Sequence, residues 1–267
     1  MNLMEGKTGV VMGVANERSI AWGIAKQLYL NKSNVILTYQ NDGLKKRIDP
    51  LAEQINCKNL FRCDASINED LEGSIEKVFF NIKQSIGKID YVVHALAFSD
   101  KEELKGRYIN TSRSNFLNTL DISAFSFTRL AKSSSNFMNN GGSLLTLTYI
   151  GSSRTTPNYN SMGVAKAALE TSVKYLSVDL GKKNIRVNAL SSGPMKTLAG
   201  AAISGARHVF RYSEKVAPLK SNPSLEEVSN AAVYLLSDMS NGVTGTTHYV
   251  DGGLKLVGIP SQQIVSE

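Results

Sequence analysis

The chain has 267 residues, of which 42% are apolar and 20% are charged, and this balance is that of an ordinary globular protein. Its formal net charge of +7 favours anionic ligands, but its lysines and arginines are dispersed, which disfavours a nucleic-acid-binding protein. No apolar run approaches the roughly 20 residues that a membrane-spanning helix needs.

The N-terminal residues, the cysteines and the histidines further limit the possible classes of protein. The first residues lack the basic and then apolar pattern of a signal peptide, so we expect a cytoplasmic protein with no membrane association. Cys57 and Cys63 stand outside any metal-ligand spacing, and the three histidines are scattered, so no metal site is predicted. At this length, one α/β domain over residues 1–267 is the simplest organisation.

The first strand and the turn after it resemble an anion-binding unit. Residues 8–12 are apolar and predict a buried parallel strand. Gly13 permits a tight turn, and a helical pattern follows in which Ser19 is the expected N-cap. The amino end of such a helix attracts an anion such as a pyrophosphate. Gly13 and Gly23 do not match the spacing G-x-G-x-x-G, so this turn alone does not identify a dinucleotide site.

The second predicted strand, residues 35–39, ends at Gln40. In dinucleotide-binding folds this strand end meets the adenosine ribose, and an acidic residue there favours NAD. Gln40 is neutral, and no arginine directly follows it to attract a 2′-phosphate, although Lys45, Lys46 and Arg47 begin the next helix. We therefore favour NADH over NADPH as the cofactor.

The third strand, predicted over residues 59–63, is followed by Asp64. A carboxylate at this strand end could hydrogen-bond an adenine amino group, but Asp is equally common as a turn or cap residue. A helix is predicted over residues 69–86, because apolar residues recur there at helical spacing.

The fourth strand is predicted over residues 89–95 and leads into small and apolar residues at 96–99, which suit the border of a nicotinamide ring. His94 is interpreted as a hydrogen-bonded core residue rather than a catalytic base. Residues 100–113 are polar and predict a loop, and residues 115–135 predict a long helix.

The next strand and helix carry the strongest chemical pattern. An apolar strand at 143–148 breaks before Pro157, and a buried helix pattern follows. Tyr159 and Lys166 are seven positions apart, which on an α-helix is about 700°, so both side chains would lie on one face. A phenol has a pKa of about 10, and a nearby ammonium could stabilise its anion while holding a ligand hydroxyl. The alternative is a rim tyrosine and a solvated lysine.

The remaining elements complete an alternating pattern. A strand at 185–190 is followed by a small, polar and basic segment at about 195–215, a candidate lid over a ligand. A helix at 224–237 and a last strand at 248–253 end the series. Alternating strands and helices predict a doubly wound, Rossmann-like parallel sheet of about seven strands with helices on both faces. Its ligand cleft would lie at the carboxyl ends of the strands.

With these motifs the chain resembles the short-chain dehydrogenase/reductase superfamily, and more narrowly the NADH-dependent enoyl-[acyl-carrier-protein] reductases of bacterial type II fatty-acid synthesis. Tyr149 stands ten positions before Tyr159, and Tyr-x6-Lys ends at Lys166. Ordinary ketone reductases carry Tyr-x3-Lys, whereas Gly163 occupies that position here. The resemblance covers nearly the whole chain.

The resemblance implies roles for particular residues. Tyr159 would stabilise or protonate the enolate oxygen of a trans-2-enoyl thioester after hydride addition, Lys166 would hold the nicotinamide ribose, and Tyr149 would be a second active-site tyrosine. Both tyrosines and Ser99 match substrate-contacting positions. The matching cofactor positions are Gly13, Ser19, Ile20, Gln40, Asp64, Ala65, Leu96, Lys166, Met195, Lys196, Thr197, Leu198 and Ala199.

Three small departures from the family pattern concern fine specificity. Ser99 stands where alanine is common, Ala65 where valine is common and Met195 where isoleucine is common.

The resemblance also implies partners. The substrate would be carried by an acidic acyl carrier protein, which Lys196, Arg207 and Arg211 near the lid could steer. Family members are commonly homotetramers. Two alternatives stay open: a carbonyl (β-ketoacyl) reductase of the same superfamily, and a non-catalytic dinucleotide-binding sensor.

Overall fold

The computed structural model describes residues 2–201 and 204–260, and within them seven strands form one parallel sheet. The strand order is β3-β2-β1-β4-β5-β6-β7, so the chain reverses direction across the sheet between β1 and β4. The strands are Thr8–Met12 (β1), Asn34–Tyr39 (β2), Leu60–Arg62 (β3), Ile89–His94 (β4), Met138–Thr148 (β5), Arg186–Ser192 (β6) and Thr247–Val250 (β7).

Helices connect the strands and cover both faces of the sheet. They are Ile20–Leu30 (α1), Asp42–Gln54 (α2), Ile75–Ile86 (α3), Lys101–Leu104 (α4), Arg113–Leu120 (α5), Ser126–Ser134 (α6), Asn160–Gly181 (α7), Leu198–Ala201 (α8), Ala206–Val216 (α9) and Leu225–Leu236 (α10). A π-helical turn, Asp121–Phe125, joins α5 to α6. None of the described helices is long and apolar enough to cross a membrane.

Alternation along the strands explains the two layers. Successive side chains of a strand point to opposite faces, and β1 shows this directly. Val10 and Met12 pack in one core with residues of α3, α6 and α7. Val11 packs in the other core with residues of α1, α2 and α10. The predicted doubly wound parallel sheet is therefore confirmed.

One predicted helix and one predicted strand begin five or more residues from the expected position. The helix expected from residue 69 begins only at Ile75. Gly73 before it has φ +85°, a left-handed conformation that interrupts a helix, and the Ser74 hydroxyl then accepts from Lys77 N as the N-cap. The strand expected from residue 143 already begins at Met138, with a register shift between Ile89 and Tyr91 in its pairing with β4.

Both the segment expected to be a loop and the candidate lid contain helices. Residues 100–113 include α4, whose first turn is capped by Asp100, and a 3₁₀ turn, Tyr108–Asn110. The candidate lid includes α8 and α9. Its apolar residues Val209 and Phe210 are half-buried and Val216 is buried, so α9 is an amphipathic helix that rests on the domain rather than a plain surface loop.

Candidate active site

The turn after β1 lies where the sheet changes direction. Gly13 has φ +95°, and a Cβ atom added to it would lie 2.2 Å from the backbone oxygen of Ala95. A glycine is therefore needed on both conformational and steric grounds, because the loops after β1 and β4 touch at this point. Crevices of this kind are where open α/β sheets bind their ligands.

A first cavity of about 440 Å³ opens beside Gly13, and we call it the β2–β3 cavity. It brings together five of the residues predicted to contact a cofactor: Gly13, Gln40, Asp64, Ala65 and Leu96. Phe98, from the segment 96–99 expected to border a nicotinamide ring, also lines it, as do Ser66, Asn118 and Ile122, which the sequence did not suggest.

Hydrogen bonds fix the polar end of the β2–β3 cavity. The Gln40 amide donates to Asp64 Oδ2 over 3.1 Å, and the backbone N–H and hydroxyl of Ser66 donate to Asp64 Oδ1. Burial would raise the pKa of the Asp64 carboxyl, but these hydrogen bonds outweigh it and lower the pKa. Asp64 is thus a charged hydrogen-bond acceptor, and it acts both as the turn residue and at the cavity.

A second cavity of about 560 Å³ lies under the candidate lid, and we call it the lid cavity. Asn16 and Arg18 form one wall, so the loop after β1 borders both cavities. The predicted residues Met195, Lys196, Thr197 and Leu198 line the lid cavity, together with Arg207 and Arg211 of α9.

Two contacts lie within the lid, and a third connects it to the rest of this edge. Lys196 Nζ lies 4.7 Å from the centre of the Phe210 ring, a favourable cation–π distance. The Thr197 hydroxyl accepts from Gly200 N. Asn158, directly before Tyr159, donates to the Ser204 carbonyl.

The prediction that Tyr159 and Lys166 lie on one face of the same helix is met in part. Tyr159 is the N-cap residue of α7 rather than a residue inside it, and Lys166 lies on the second turn. Both side chains are buried. The Tyr149 and Tyr159 rings meet edge to face with centres 5.2 Å apart, and Lys166 Nζ donates to the Leu147 carbonyl over 2.8 Å.

Burial sets the protonation of this group. It raises the pKa of Tyr159, and Tyr149 and Glu170 raise it further. Burial also raises the pKa of Tyr149 to about 12. The phenols are therefore neutral hydrogen-bond donors, and the expected stabilisation of a Tyr159 anion by Lys166 is not among the effects that govern this pKa. Burial lowers the pKa of Lys166 to about 8, although Glu170 acts in the opposite direction.

His94 is a core residue, as expected. Its ring nitrogens lie 3.0 Å from the Thr146 hydroxyl and 2.7 Å from the Ser126 hydroxyl, and its side chain is fully buried. Burial and the neighbouring Lys166 lower the pKa of His94 to about 3. It is neutral at physiological pH and both nitrogens are engaged, so it has no lone pair available for a substrate proton.

Ser99 belongs to a buried hydroxyl cluster. Its Oγ accepts from the Thr119 hydroxyl over 2.9 Å and from the Asn115 amide, and it lies 3.1 Å from the Ser161 hydroxyl. These partners come from α5 and α7, so the Ser99 hydroxyl joins the loop after β4 to both helices.

Three predicted cofactor residues, Ser19, Ile20 and Lys166, are not among the residues that line either cavity. Ser19 and Ile20 are at the amino end of α1. The Ser19 side chain does not cap α1; it accepts from Ala15 N and donates to the Asn16 carbonyl, closing the preceding turn. The side chain of Ala199 lies outside the described residues.

The π-helical turn before α6 supplies contacts that the sequence did not suggest. Ser123 accepts from Phe98 N and donates to the Phe98 carbonyl, and Ile122 lines the β2–β3 cavity. Such turns often occur at functional sites, but the sequence at 121–125 follows the ordinary helical pattern and gives no sign of it.

These features place the chain in the class of α/β proteins that bind a dinucleotide at the switch point of a parallel sheet. The family model described as "Enoyl-(Acyl carrier protein) reductase" matches residues 13–255. The chain belongs to this enoyl-[acyl-carrier-protein] reductase family.

Individual relatives span almost the full length. The chain is 55% identical over 257 residues to "Enoyl-[acyl-carrier-protein] reductase [NADH] 1" of Rhizobium meliloti, covering 96% of this chain and 93% of that protein. The crystal structure of the reductase from Anaplasma phagocytophilum in complex with NAD is 50% identical with a TM-score of 0.92, and the match covers 97% of both chains. The Bacillus cereus reductase with NADP+ and indole naphthyridinone is 44% identical with a TM-score of 0.93, covering 97% of this chain and 100% of that one.

Proposed function

We infer that this protein is an NADH-dependent enoyl-[acyl-carrier-protein] reductase, which saturates the double bond of a trans-2-enoyl thioester during fatty-acid elongation. The observation that carries the inference is the group formed by half-buried Tyr149 with buried Tyr159 and Lys166 at the carboxyl edge of the sheet, in a member of this reductase family. When bound, NADH supplies the hydride that adds to the β-carbon.

The cleft fits a dinucleotide by its shape and its donor set. Gln40, Asp64 and Ala65 would hold the adenosine end in the β2–β3 cavity, while Met195 and Thr197 would hold the nicotinamide end beside the lid cavity. The loop after Gly13 borders both cavities, and the amino end of α1 follows it, which suits the pyrophosphate between them. The close approach at Gly13 leaves no room for a side chain.

The tyrosines act on the thioester carbonyl. When hydride reaches the β-carbon, negative charge develops on the carbonyl oxygen. Tyr159, which burial keeps protonated, donates a hydrogen bond or its proton to this oxygen. Tyr149 packs against Tyr159 edge to face, so it fixes the Tyr159 ring and offers a second phenol to the substrate. Ser99 would also contact the substrate.

Lys166 holds the cofactor ribose and supplies positive charge. Its ammonium has three donors, of which Leu147 takes one. Two donors are then available for the ribose hydroxyls. Because Lys166 is buried, its charge acts through a poorly screened medium on the developing anion.

The surroundings of Gln40 favour NADH over NADPH. Lys45 is the first basic residue after Gln40, and both oxygens of Asp49 accept from its ammonium within 2.9 Å. The partner carboxylate neutralises the charge that a 2′-phosphate would need. Asp64, charged and bonded to Gln40, repels a phosphate at the same place.

The lid would admit the carrier-bound substrate. Lys196, Arg207 and Arg211 concentrate positive charge around the lid cavity, which would attract an acidic carrier protein at a salt-dependent rate. Arg207→Glu with Arg211→Glu should then slow turnover of the carrier-bound substrate while leaving a small crotonyl thioester unaffected. If the double variant turned over the carrier-bound substrate as fast as the wild type does, this role would be contradicted.

We also propose a homotetramer, a cytoplasmic location and a single domain over residues 1–267 with a lid at about 195–215. The assembly is supported by exposed apolar side chains on neighbouring helices: Leu117 on α5, and Val164, Tyr175 and Val178 on α7. Light scattering on the purified protein should give four chains, and a monomer would contradict the assembly.

One assay tests the reaction. We expect loss of NADH absorbance with crotonyl thioester and no loss with a β-ketoacyl thioester. Turnover of the second substrate alone would indicate a carbonyl reductase, and cofactor binding without either turnover would indicate a sensor. Repeating the assay with NADPH should give a lower kcat/KM.

A further inference from the structure

An arginine outside the active-site group is buried beneath the β2–β3 cavity. Arg129 on α6 is 6% exposed. Its Nη1 donates to the Ala65 carbonyl and its Nη2 to the Ile67 carbonyl, both over 2.8 Å. Its Nε and Nη2 donate to the two carboxylate oxygens of Glu76 over 2.9 and 2.8 Å. We call this set the Arg129 clamp.

Burying a guanidinium is unfavourable unless its donors are satisfied, and the clamp satisfies them from two sides. Glu76 lies in the first turn of α3, while Ala65 and Ile67 lie in the segment between β3 and α3. A planar fork of donors can span these acceptors at once, whereas a lysine ammonium cannot match the same geometry.

Apart from the clamp, the segment is held mainly by hydrogen bonds within itself, such as those from Ile67 N to the Asp64 carbonyl and from the Ser74 hydroxyl to the Glu69 carbonyl. It follows β3, which has three residues and forms the edge of the sheet, so only one side of that strand is paired. Residues 65–74 have no regular secondary structure. Asp64 N donates to the Gly73 carbonyl at the base of the segment, and the Arg129 clamp fixes its beginning.

This same segment carries the residues that face the β2–β3 cavity. Ala65 lines the cavity while its carbonyl accepts from Arg129. Ser66 lies between the two clamped carbonyls and holds Asp64, which in turn holds Gln40. A continuous chain of polar contacts therefore runs from Glu76 through Arg129 to the cavity wall.

We propose that Arg129 is a positioning residue for the adenosine half of NADH: with Glu76 it fixes the backbone of residues 65–67, and thereby the places of Asp64 and Ala65. This rests on the proposed function for the identity of the cofactor. Arg129 lines neither cavity, so its effect on binding is transmitted by the segment it holds.

The test is the dissociation constant of NADH, measured by its fluorescence, beside the steady-state constants for crotonyl thioester. Arg129→Met should weaken NADH binding by about tenfold or more, because a hydrogen bond from a charged donor is worth about one to two powers of ten in an equilibrium constant. At saturating NADH, kcat and the KM for crotonyl thioester should stay within about twofold of the wild type, since the Tyr159 group is untouched.

Two further variants separate positioning from general stability. Arg129→Lys keeps the charge but not the fork, so it should still weaken NADH binding. Glu76→Gln leaves the two carbonyl bonds in place and should weaken binding less than Arg129→Met. Arg113→Met removes an arginine exposed on α5 and should change nothing.

Wild-type NADH affinity in folded Arg129→Met or Arg129→Lys would overturn the proposal. A fall in kcat together with a rise in the KM for crotonyl thioester would also overturn it, because that pattern indicates that the whole active site has lost its structure. If Arg129→Met does not fold, Arg129→Lys decides. The binding measurement needs no turnover, so it remains informative even if the wild type fails to reduce crotonyl thioester.

Discussion

The two halves of the cleft differ in how far their polar side chains are hydrogen-bonded within the protein. In the β2–β3 cavity the polar side chains are bonded to one another: Gln40 to Asp64, Asp64 to Ser66, and Arg129 to the segment below. At the catalytic half, no hydrogen bond links the hydroxyl of Tyr149 or Tyr159 to another described residue. Lys166 is buried, and within the described ranges the Leu147 carbonyl is its one hydrogen-bond partner.

The difference follows from the proposed roles of the two halves. A rigid, hydrogen-bonded wall suits a half that would only recognise the cofactor, because less order must be created when the ligand binds. The other half would keep its donors free for groups that arrive with the substrate, at a cost in the stability of the protein. Desolvation of Lys166, seen as its pKa of about 8, is the clearest sign of that compromise.

Lys166→Met should have the largest effect and should divide activity from stability. Turnover of crotonyl thioester should fall by roughly a hundredfold or more, since both ribose positioning and positive charge are lost. The same change should raise the free energy of unfolding by about 1–3 kcal/mol at pH 7, because the buried charge disappears. Calorimetry beside the activity assay checks both.

The stability gain in that variant should depend on pH. The folded pKa of Lys166, about 8, is below the value near 10.5 for an unfolded lysine. The wild type therefore bears the full desolvation cost below pH 8 and loses it as the pH rises towards 10.5. A gain that instead grew over this range would contradict the assignment.

Gly13→Ala tests the junction between the two halves. The added Cβ would overlap the Ala95 carbonyl, so the loops after β1 and β4 must separate, and we expect at least a tenfold loss of NADH affinity. Unfolding free energy should fall by about 2–4 kcal/mol. Gly6→Ala is the matched control, because Gly6 also has positive φ but open space around it. Similar losses in Gly6→Ala and Gly13→Ala would contradict the claim that the closeness of the Ala95 backbone requires glycine at position 13.

Glu170→Gln sharpens the electrostatics of the catalytic half. Glu170 accepts from the Thr148 hydroxyl over 2.6 Å and raises the pKa of Lys166. Without its charge the pKa of Lys166 falls further, so the alkaline limb of the kcat/KM profile should move to lower pH. Glu53→Gln, at an exposed position on α2, should leave the profile unchanged. An unmoved limb in Glu170→Gln would contradict the coupling.

Ser99→Ala should have the smallest effect on activity. Its hydroxyl partners on α5 and α7 lose a bond, which should lower unfolding free energy by about 1–3 kcal/mol. Turnover of crotonyl thioester should change by no more than a few fold, since the hydroxyl is engaged inside the protein. Ser114→Ala, exposed on α5, serves as the control. A large loss of turnover at full stability would instead favour direct substrate contact.

The features of the fold and of the site that the sequence predicted are those marked by a pattern of neighbouring residues. Apolar patterns predicted the parallel strands, and the rule that ligands bind at strand carboxyl ends selected the loops of Gln40, Asp64 and Leu96, which in the structure line one cavity. The helix predicted at 224–237 is α10, and the structure shows that Ser224 and Glu227 form a capping box at its start.

The parts not predictable depend on long-range contacts. Arg129 and Ala65 are 64 positions apart, and no periodicity links them. Glu69 to Gly73 looked helical because composition does not reveal the turn at Gly73. The role of Ser19 differed because its hydroxyl bonds the preceding turn, an outcome set by the conformation of residues 15–19 rather than by residue type.

The most direct test is Tyr159→Phe, assayed for reduction of crotonyl thioester and for NADH affinity in the same preparation. Removing the phenol that is proposed to donate to the developing oxyanion should lower kcat by about a hundredfold to ten-thousandfold, with NADH affinity within about twofold of the wild type. Near-normal kcat, or loss of NADH binding as the main effect, would contradict the chemical role of Tyr159.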